Sequence, residues 1–369
     1  MLRNLVLVGG GHTHSLLLHT FAENPLPDTR ITLVSDVDDA PYSGMLPGHV
    51  AGLYTHREMH IDLPALCEAT GTDFLRAEVN AFDPDSRILR TLDGRSLDLS
   101  PDFLSFNVGS VPKRDSVPGA KEFAIPSKPV PDLLAGWEKL RGIESPGRIA
   151  LVGGGAGGVE LALAMKSQLS GNTPLTLVHA GGALMSGHAP HVGKILTGLL
   201  QERGVELCLG RRVNEVTADG LHLDDGSHLA ADTVFWVTQP SPPTWLSETG
   251  LALSENGFLR VQPTLQTLDY PWIFAAGDVA AIEDTSLPRS GVYAVRMAKP
   301  LEENVRAALA GQPLTNYEPQ QRILSLIGTA DRKAVASWGP FAFRSASMWR
   351  WKDQIDRKFM QQFEEISAN

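Results

Sequence analysis

Two short stretches constrain this chain more than anything else in it: Leu5-Val-Leu-Val-Gly-Gly-Gly-His-Thr-His14 and Arg148-Ile-Ala-Leu-Val-Gly-Gly-Gly-Ala-Gly-Gly158. Each begins with apolar, mostly β-favouring residues that predict a buried strand. Each then passes through glycines into a helical pattern, His14 to Phe21 in the first and Gly158 to Leu169 in the second. Gly9 and Gly11, and later Gly153, Gly155 and Gly158, let backbone approach a pyrophosphate closely, and the free N–H groups at a helix start stabilise its charge. The first loop reads G-x-G-x-x-H, with His14 where a third glycine is usual. One such loop alone also fits a tight turn with no ligand, so its surroundings must decide.

The surroundings repeat. Ile31-Thr-Leu-Val34 and Leu175-Thr-Leu-Val178 each end 23 residues beyond the middle glycine of their loop. Asp102-Phe-Leu-Ser-Phe-Asn-Val-Gly109 later parallels Asp232-Thr-Val-Phe-Trp-Val-Thr-Gln239. Landmarks in register predict an α/β chain built from two copies of one Rossmann-like dinucleotide-binding fold. At 369 residues the chain has room for both. A net charge of −10 argues against nucleic acid as the main partner. Only Cys67 and Cys208 are present, which fits a reducing compartment and offers no disulfide framework. The first apolar run is too short for a signal-peptide core, and no window is apolar enough to cross a bilayer, so a cytoplasmic location is expected.

Ser35 and Asp36 follow the second strand, where an acid can accept hydrogen bonds from a ribose; either could serve. In Ala40-Pro-Tyr-Ser-Gly-Met-Leu-Pro-Gly48, Ser43, Gly44 and Met45 would let a flat cofactor ring approach the backbone; an ordinary Pro/Gly loop is the plainer reading. Phe74 to Val79, Arg87 to Leu92 and Ser96 to Leu99 read as a small meander turning at Asp93-Gly94, and the proline-rich run from Pro112 to Pro131 as a linker. Trp272-Ile-Phe-Ala-Ala-Gly-Asp278 reads as a buried strand ending in Gly277 and Asp278, an acid placed to bind a polyol, before a helix from Gly291 to Leu309. His12, His14 and His19 lack a carboxylate or thiolate partner close in sequence, so no metal site is expected of them.

With Gly9/Gly11, Val108-Gly109-Ser110, Gly153/Gly155/Gly158 and Ala276-Gly277-Asp278, the chain resembles the pyridine nucleotide–disulfide oxidoreductase-like flavoproteins over nearly its whole length. Within them it looks most like the type II NADH dehydrogenase and sulfide:quinone reductase branch. Through His12-Thr-His14, Pro41-Tyr-Ser-Gly-Met-Leu-Pro-Gly48, Ile125-Pro-Ser-Lys-Pro129 and Gly291-Val-Tyr-Ala-Val-Arg296, it looks closer still to the flavoprotein domain often fused in front of selenophosphate synthase. The resemblance implies an FAD domain of residues 1–118 and 246–315, an inserted NAD(P) domain at 119–245, and a carboxyl-terminal segment at 316–369. It implies that Val79, Gly109, Gly291 and Val292 also meet the cofactor, and that Glu160 and Lys128 stand near the flavin. A first-turn helix acid and an exposed linker lysine are the plainer readings of the last two.

The departures are informative. No cysteine pair exists for dithiol chemistry unless Cys67 meets Cys208 in space, and the family's quinone-site glutamines are replaced by Val292 and Arg296. His179 stands where the second copy would place Glu for NAD, which leaves NADH against NADPH open. The expected activity is an FAD-dependent NAD(P)H dehydrogenase passing electrons to an acceptor such as a quinone. A sulfur or selenium donor with a vestigial nucleotide site, and a flavin redox sensor, are the alternatives. Finally, Ser345 to Phe363 reads as an amphipathic helix with a stripe of Met348, Trp351 (or Lys352), Ile355, Phe359 and Phe363 amid lysine and arginine. It would lie on a membrane surface, or pack on the FAD domain or a dimer partner.

Overall fold

The structure is a computed structural model and describes residues 2–285, 287–320 and 323–367. The first unit runs β1 (Arg3–Val8), α1 (His12–Glu23), β2 (Thr29–Ser35), β3 (Asp73–Arg76) and β4 (Phe103–Phe106). The second runs β5 (Ala124–Pro126), β6 (Ile149–Val152), α2 (Ala156–Gln168), β7 (Leu175–His179), β8 (Val205–Leu209) and β9 (Thr233–Trp236). The chain then returns through β10 (Ile273–Ala275) and α3 (Gly291–Leu309).

Both sheets are parallel, five-stranded and alike in order: β10-β4-β1-β2-β3 and β5-β9-β6-β7-β8. Leu5 pairs with Ile31 on one side and Phe103 on the other; Ile149 pairs with Leu175 and Thr233. A central parallel strand is covered on both faces, so Leu5 to Val8 and Ile149 to Val152 are unbroken buried apolar runs rather than alternating ones. The copies differ in the strand beyond β4 and β9. In the first it comes from residues far downstream; in the second it comes from just before the loop.

Two expectations change here. Phe74 belongs to β3, a fifth parallel strand beside β2, and the meander starts only at Val79. The supposed linker supplies β5, whose Pro126 faces Trp236. A three-residue edge strand ending in proline is too short for periodicity to reveal, and an edge tolerates the missing N–H.

The two loops superpose in their bonding. Gly9 N–H donates to Val34 O at 2.7 Å and Gly153 N–H to Val178 O at 2.9 Å, at φ of 95° and 138°. At Gly158 a Cβ would lie 1.9 Å from Gly153 O, so helix and loop touch through bare backbone. In the first copy His14 fills that place. Its Nδ1–H donates to Gly9 O at 2.8 Å, Nε2 accepts from Ser105 Oγ at 2.8 Å, and burial lowers its pKa to about 4, leaving it neutral. A bonded imidazole replaces direct backbone contact.

After α3 come three short antiparallel strands, Ser325–Gly328, Ala334–Trp338 and Phe341–Ser345, and then α4 (Ala346–Ser367). The expected helix is there, but its buried face is rotated. Trp349, Lys352, Asp356, Met360 and Phe363 turn inward, while Trp351 and Ile355 are 47% and 46% exposed. The apolar residues alone misled because the inward face carries a buried ion pair, Lys352 Nζ to Asp356 Oδ2 at 2.6 Å. Among the described residues no helix is long and apolar enough to cross a membrane.

Candidate functional site

One cleft of about 2010 Å³ opens along the carboxyl ends of the first sheet and reaches the start of α2. This is where ligands sit in open α/β sheets, because strand ends and helix starts converge there. Of the residues expected at a cofactor, Gly9, Gly11, Asp36, Ser43, Gly44, Val79, Gly109, Lys128, Glu160, Asp278, Gly291 and Val292 line it.

Others stand behind the wall. His14 lies under the loop with both ring nitrogens used, so it shapes the loop rather than touching a ligand. Ser35 is buried with its hydroxyl accepting Val37 N–H, which leaves Asp36, the later of the two candidates, facing the cleft. Met45 is fully buried. Gly277 is buried too; a Cβ there would come 2.4 Å from Asn107 Nδ2. Gly153, Gly155, Gly158 and His179 form their own loop beside the cleft, whose wall on that side is Ala156, Gly157 and Glu160.

Asn107 was not singled out from the sequence, yet it organises the floor. Its N–H donates to Val8 O at 2.8 Å, its Nδ2 to Ala276 O at 2.8 Å, and its Oδ1 accepts from His14 N–H at 3.4 Å. It thereby joins the first loop, the end of β4 and the returning Gly277 segment. Its place just before Val108-Gly109 was the available signal.

Asp278 is buried, which alone would raise its pKa. The Lys128 ammonium, 2.8 Å away, and the Ser110 hydroxyl at 2.9 Å outweigh that and hold it below the usual carboxylate range. It is therefore an ionised acceptor at neutral pH. Ser290, just ahead of α3, lines the cleft with its buried Oγ unpartnered among the described residues. Deeper in, His12 Nε2 lies 3.3 Å from Pro41 O, and its ring meets Tyr42 and Phe359 edge-on.

Glu160 sits where α2, the cleft and the carboxyl-terminal strands meet. Its Oε1 accepts Gly328 N–H at 2.7 Å, and burial pushes its carboxyl up to about 7 despite nearby Lys352. Lys352 itself donates to Gly44 O at 2.7 Å, and Tyr42 OH donates to Asp356 Oδ1 at 3.2 Å. This buried set was not read from the sequence, where Lys352 stood only as an alternative to Trp351 in the apolar stripe.

Cys67 and Cys208 are both free, and neither lines the cleft. Burial pushes the Cys67 thiol up to about 12, away from the reactive thiolate, and the fold does not join it to Cys208.

The sequence profile of the pyridine nucleotide-disulphide oxidoreductases matches residues 3–298. The NADH dehydrogenase-like protein YutJ of Bacillus subtilis is 22% identical over 364 residues, covering 95% of this chain and 99% of that one. Demethylphylloquinone reductase NdbB of Synechocystis is 26% identical over 275 residues, covering 71% and 68%. The sulfide:quinone oxidoreductase of Aquifex aeolicus superposes with a TM-score of 0.80 at 19% identity, over 99% of this chain and 92% of that one.

Proposed function

The chain belongs to the pyridine nucleotide-disulphide oxidoreductase family, and we propose that it is an NAD(P)H dehydrogenase that passes electrons through FAD to a quinone. It is an FAD-dependent oxidoreductase that takes NAD(P)H as substrate. The observation that carries the finer reading is the shared cleft: residues from the first glycine loop and from the start of α2 border one cavity. At about 2010 Å³ it is roughly twice the upper size of an ordinary small-molecule pocket, room for FAD and the reactive end of a nucleotide.

Bound FAD would supply a ring able to take a hydride from NAD(P)H and release the electrons to a second acceptor. The chain's share is positioning. Backbone N–H groups from Gly10 to His12, at the start of α1, would offset a diphosphate's charge. Asp36 accepts from ribose hydroxyls. Asp278, kept ionised by Lys128, accepts from a polyol hydroxyl, and Ser290 Oγ is free to bond the same ligand. The start of α3 at Gly291 favours negative charge on a ring beside it. Glu160, half protonated near neutral pH with Oε1 committed to Gly328, holds its proton on Oε2 at the junction with the second unit, where a quinone needing protons would draw on it. The names of two relatives, a demethylphylloquinone reductase and a sulfide:quinone oxidoreductase, support a quinone; the lack of a cysteine pair at the cleft weighs against sulfide as donor.

A quinone dissolved in lipid calls for membrane contact. The reading places it on the strand pair Ala334–Trp338 and Phe341–Ser345, where Trp338, Phe341 and Phe343 are 56%, 65% and 51% exposed, with exposed Arg332, Lys333 and Arg350 for anionic headgroups. Ser337 and Gly339 of this hairpin border the cleft, so the apolar tip adjoins its mouth.

The test is anaerobic mixing of the FAD-loaded protein with NADH or NADPH, followed by a soluble quinone. Bleaching of the flavin and its return with quinone are expected. A flavin that neither nucleotide bleaches would refute the dehydrogenase reading, and one bleached but never reoxidised by quinone would refute the acceptor.

A further inference from the structure

The second glycine loop carries a side chain that bears on which nucleotide it takes. His179 ends β7 at the place Ser35 holds in the first unit, one residue beyond the carbonyl that receives the first glycine's N–H. An acid in this position accepts a hydrogen bond from the 2′-hydroxyl of an unphosphorylated nucleotide and repels a 2′-phosphate. This chain has no acid there.

The imidazole is already committed. A Cβ on Gly154 would come 2.5 Å from His179 Cγ, so the ring lies against the loop's backbone. Its Nδ1 accepts Gly154 N–H at 3.3 Å, which puts the ring proton on Nε2. Burial lowers its pKa further below the ordinary value, so the ring is neutral at pH 7. The charge beside it is also cancelled. Arg211 N–H donates to His179 O at 3.1 Å, but the Arg211 guanidinium is closed on Asp225 at 2.5 Å. A 2′-phosphate would thus meet neither a carboxylate that expels it nor an unpaired Arg211 that captures it.

Resting on the reading of this loop as the NAD(P)H site, we propose that His179 makes the site indifferent to the 2′-phosphate, so that NADH and NADPH are both accepted. With Nδ1 taken by Gly154 N–H and the ring's other hydrogen bond made to the Ala183 backbone, the imidazole offers neither a charge nor a spare donor that would tell a ribose hydroxyl from a phosphate. Selectivity between the two nucleotides is set at one position and has been left open there.

The experiment compares ADP-ribose with 2′-phospho-ADP-ribose by calorimetry on the full-length FAD-loaded protein, which reads binding without turnover. In the wild type the two dissociation constants are expected within ten-fold of each other. His179→Glu is expected to weaken the phosphorylated probe at least ten-fold relative to the other, and neutral His179→Gln to keep the wild-type ratio. Hundred-fold discrimination by the wild type in either direction overturns the proposal while leaving the nucleotide site standing, and so does an unchanged ratio in a folded His179→Glu protein. Should His179→Glu fail to fold, the wild-type ratio and His179→Gln decide alone. Binding of neither probe overturns the nucleotide-site reading and this proposal together.

Discussion

A Cβ added at Gly11 would come 2.2 Å from Asn107 Oδ1, whereas one added at Gly155, the matching glycine of the second loop, meets nothing within 4 Å. The same contrast runs through both units. The first loop is tied to β4, to the Gly277 segment and to α3, where Thr13 Oγ1 donates to Ala294 O at 2.8 Å. The second is tied within its own unit, with Gly153 against Val237 O and Gly154 O accepting Met185 N–H at 2.9 Å. Among the described residues its His179 bonds within its own unit, and α2 touches the carboxyl-terminal strands farther along, through Glu160. A site enclosed by several distant segments suits a cofactor that stays bound, and an open one suits a nucleotide that enters and leaves on each turnover. In the proposed dehydrogenase one backbone design would thus serve two kinds of ligand, with the segments packed around it making the difference.

The largest effects should come where helix meets loop. Gly158→Val forces a branched side chain onto Gly153 O, and His14→Gly removes two buried hydrogen bonds and leaves a void. Losses of about 3–5 kcal/mol and about 2–4 kcal/mol are expected, measured by urea unfolding of each variant against wild type. If His14→Gly were as stable as wild type, the view that its imidazole replaces the glycine contact would fall.

Next come the ligand positions, which should separate cleanly. Asp278→Ala deprives Lys128 and the cofactor of an ionised partner, and flavin retention should weaken by about 1–3 kcal/mol, read as an FAD dissociation constant. Gly155→Val should keep flavin content and fold while NAD(P)H oxidation falls. Loss of flavin from Gly155→Val would mean that the two loops do not divide the work as described.

A smaller effect concerns Glu160, whose folded pKa near 7 lies above the ordinary 4.5. Between those values the folded state holds more proton than the unfolded one, so this group's contribution to stability is present below about pH 4.5 and is lost as pH rises through 7. Glu160→Gln should remove that component, so the difference in stability between wild type and variant should shift by on the order of 2 kcal/mol from pH 4.5 to 8. A difference that stays flat with pH would show an ordinary solvated acid.

Least disturbing to the fold should be Trp338→Ser with Phe341→Ser. Both side chains are exposed, so stability should move by no more than about 0.5 kcal/mol, while flotation with anionic vesicles at low salt should fall markedly. Unchanged flotation would remove the hairpin from any membrane contact.

Much of the fold was written locally. A short β-favouring run such as Leu5 to Val8, ended by glycines, reads as a buried strand, and Gly9 and Gly153 need a positive φ that other residues resist, so strand, loop and helix were legible twice over. The glycines of both loops were legible for the same reason, and Asp278 by its place at a strand end, although the charge it carries depends on Lys128, 150 positions away. What stayed hidden depended on residues far apart in the chain. β5 is three residues long and exists only because β9 offers it an edge. Ser35 and Asp36 are adjacent and both can accept, and only the fold shows that Ser35 closes β2 with its side chain buried while Asp36, the first residue beyond the strand, lines the cleft. On α4, apolar spacing pointed to one face, but Lys352 finds Asp356 and the carbonyl of Gly44, more than three hundred positions away, and that pairing turns the helix. Sequence determined the elements whose energy is local. Tertiary structure decided the cases in which a buried polar group takes a partner from far along the chain, because that energy exists only once the partner arrives.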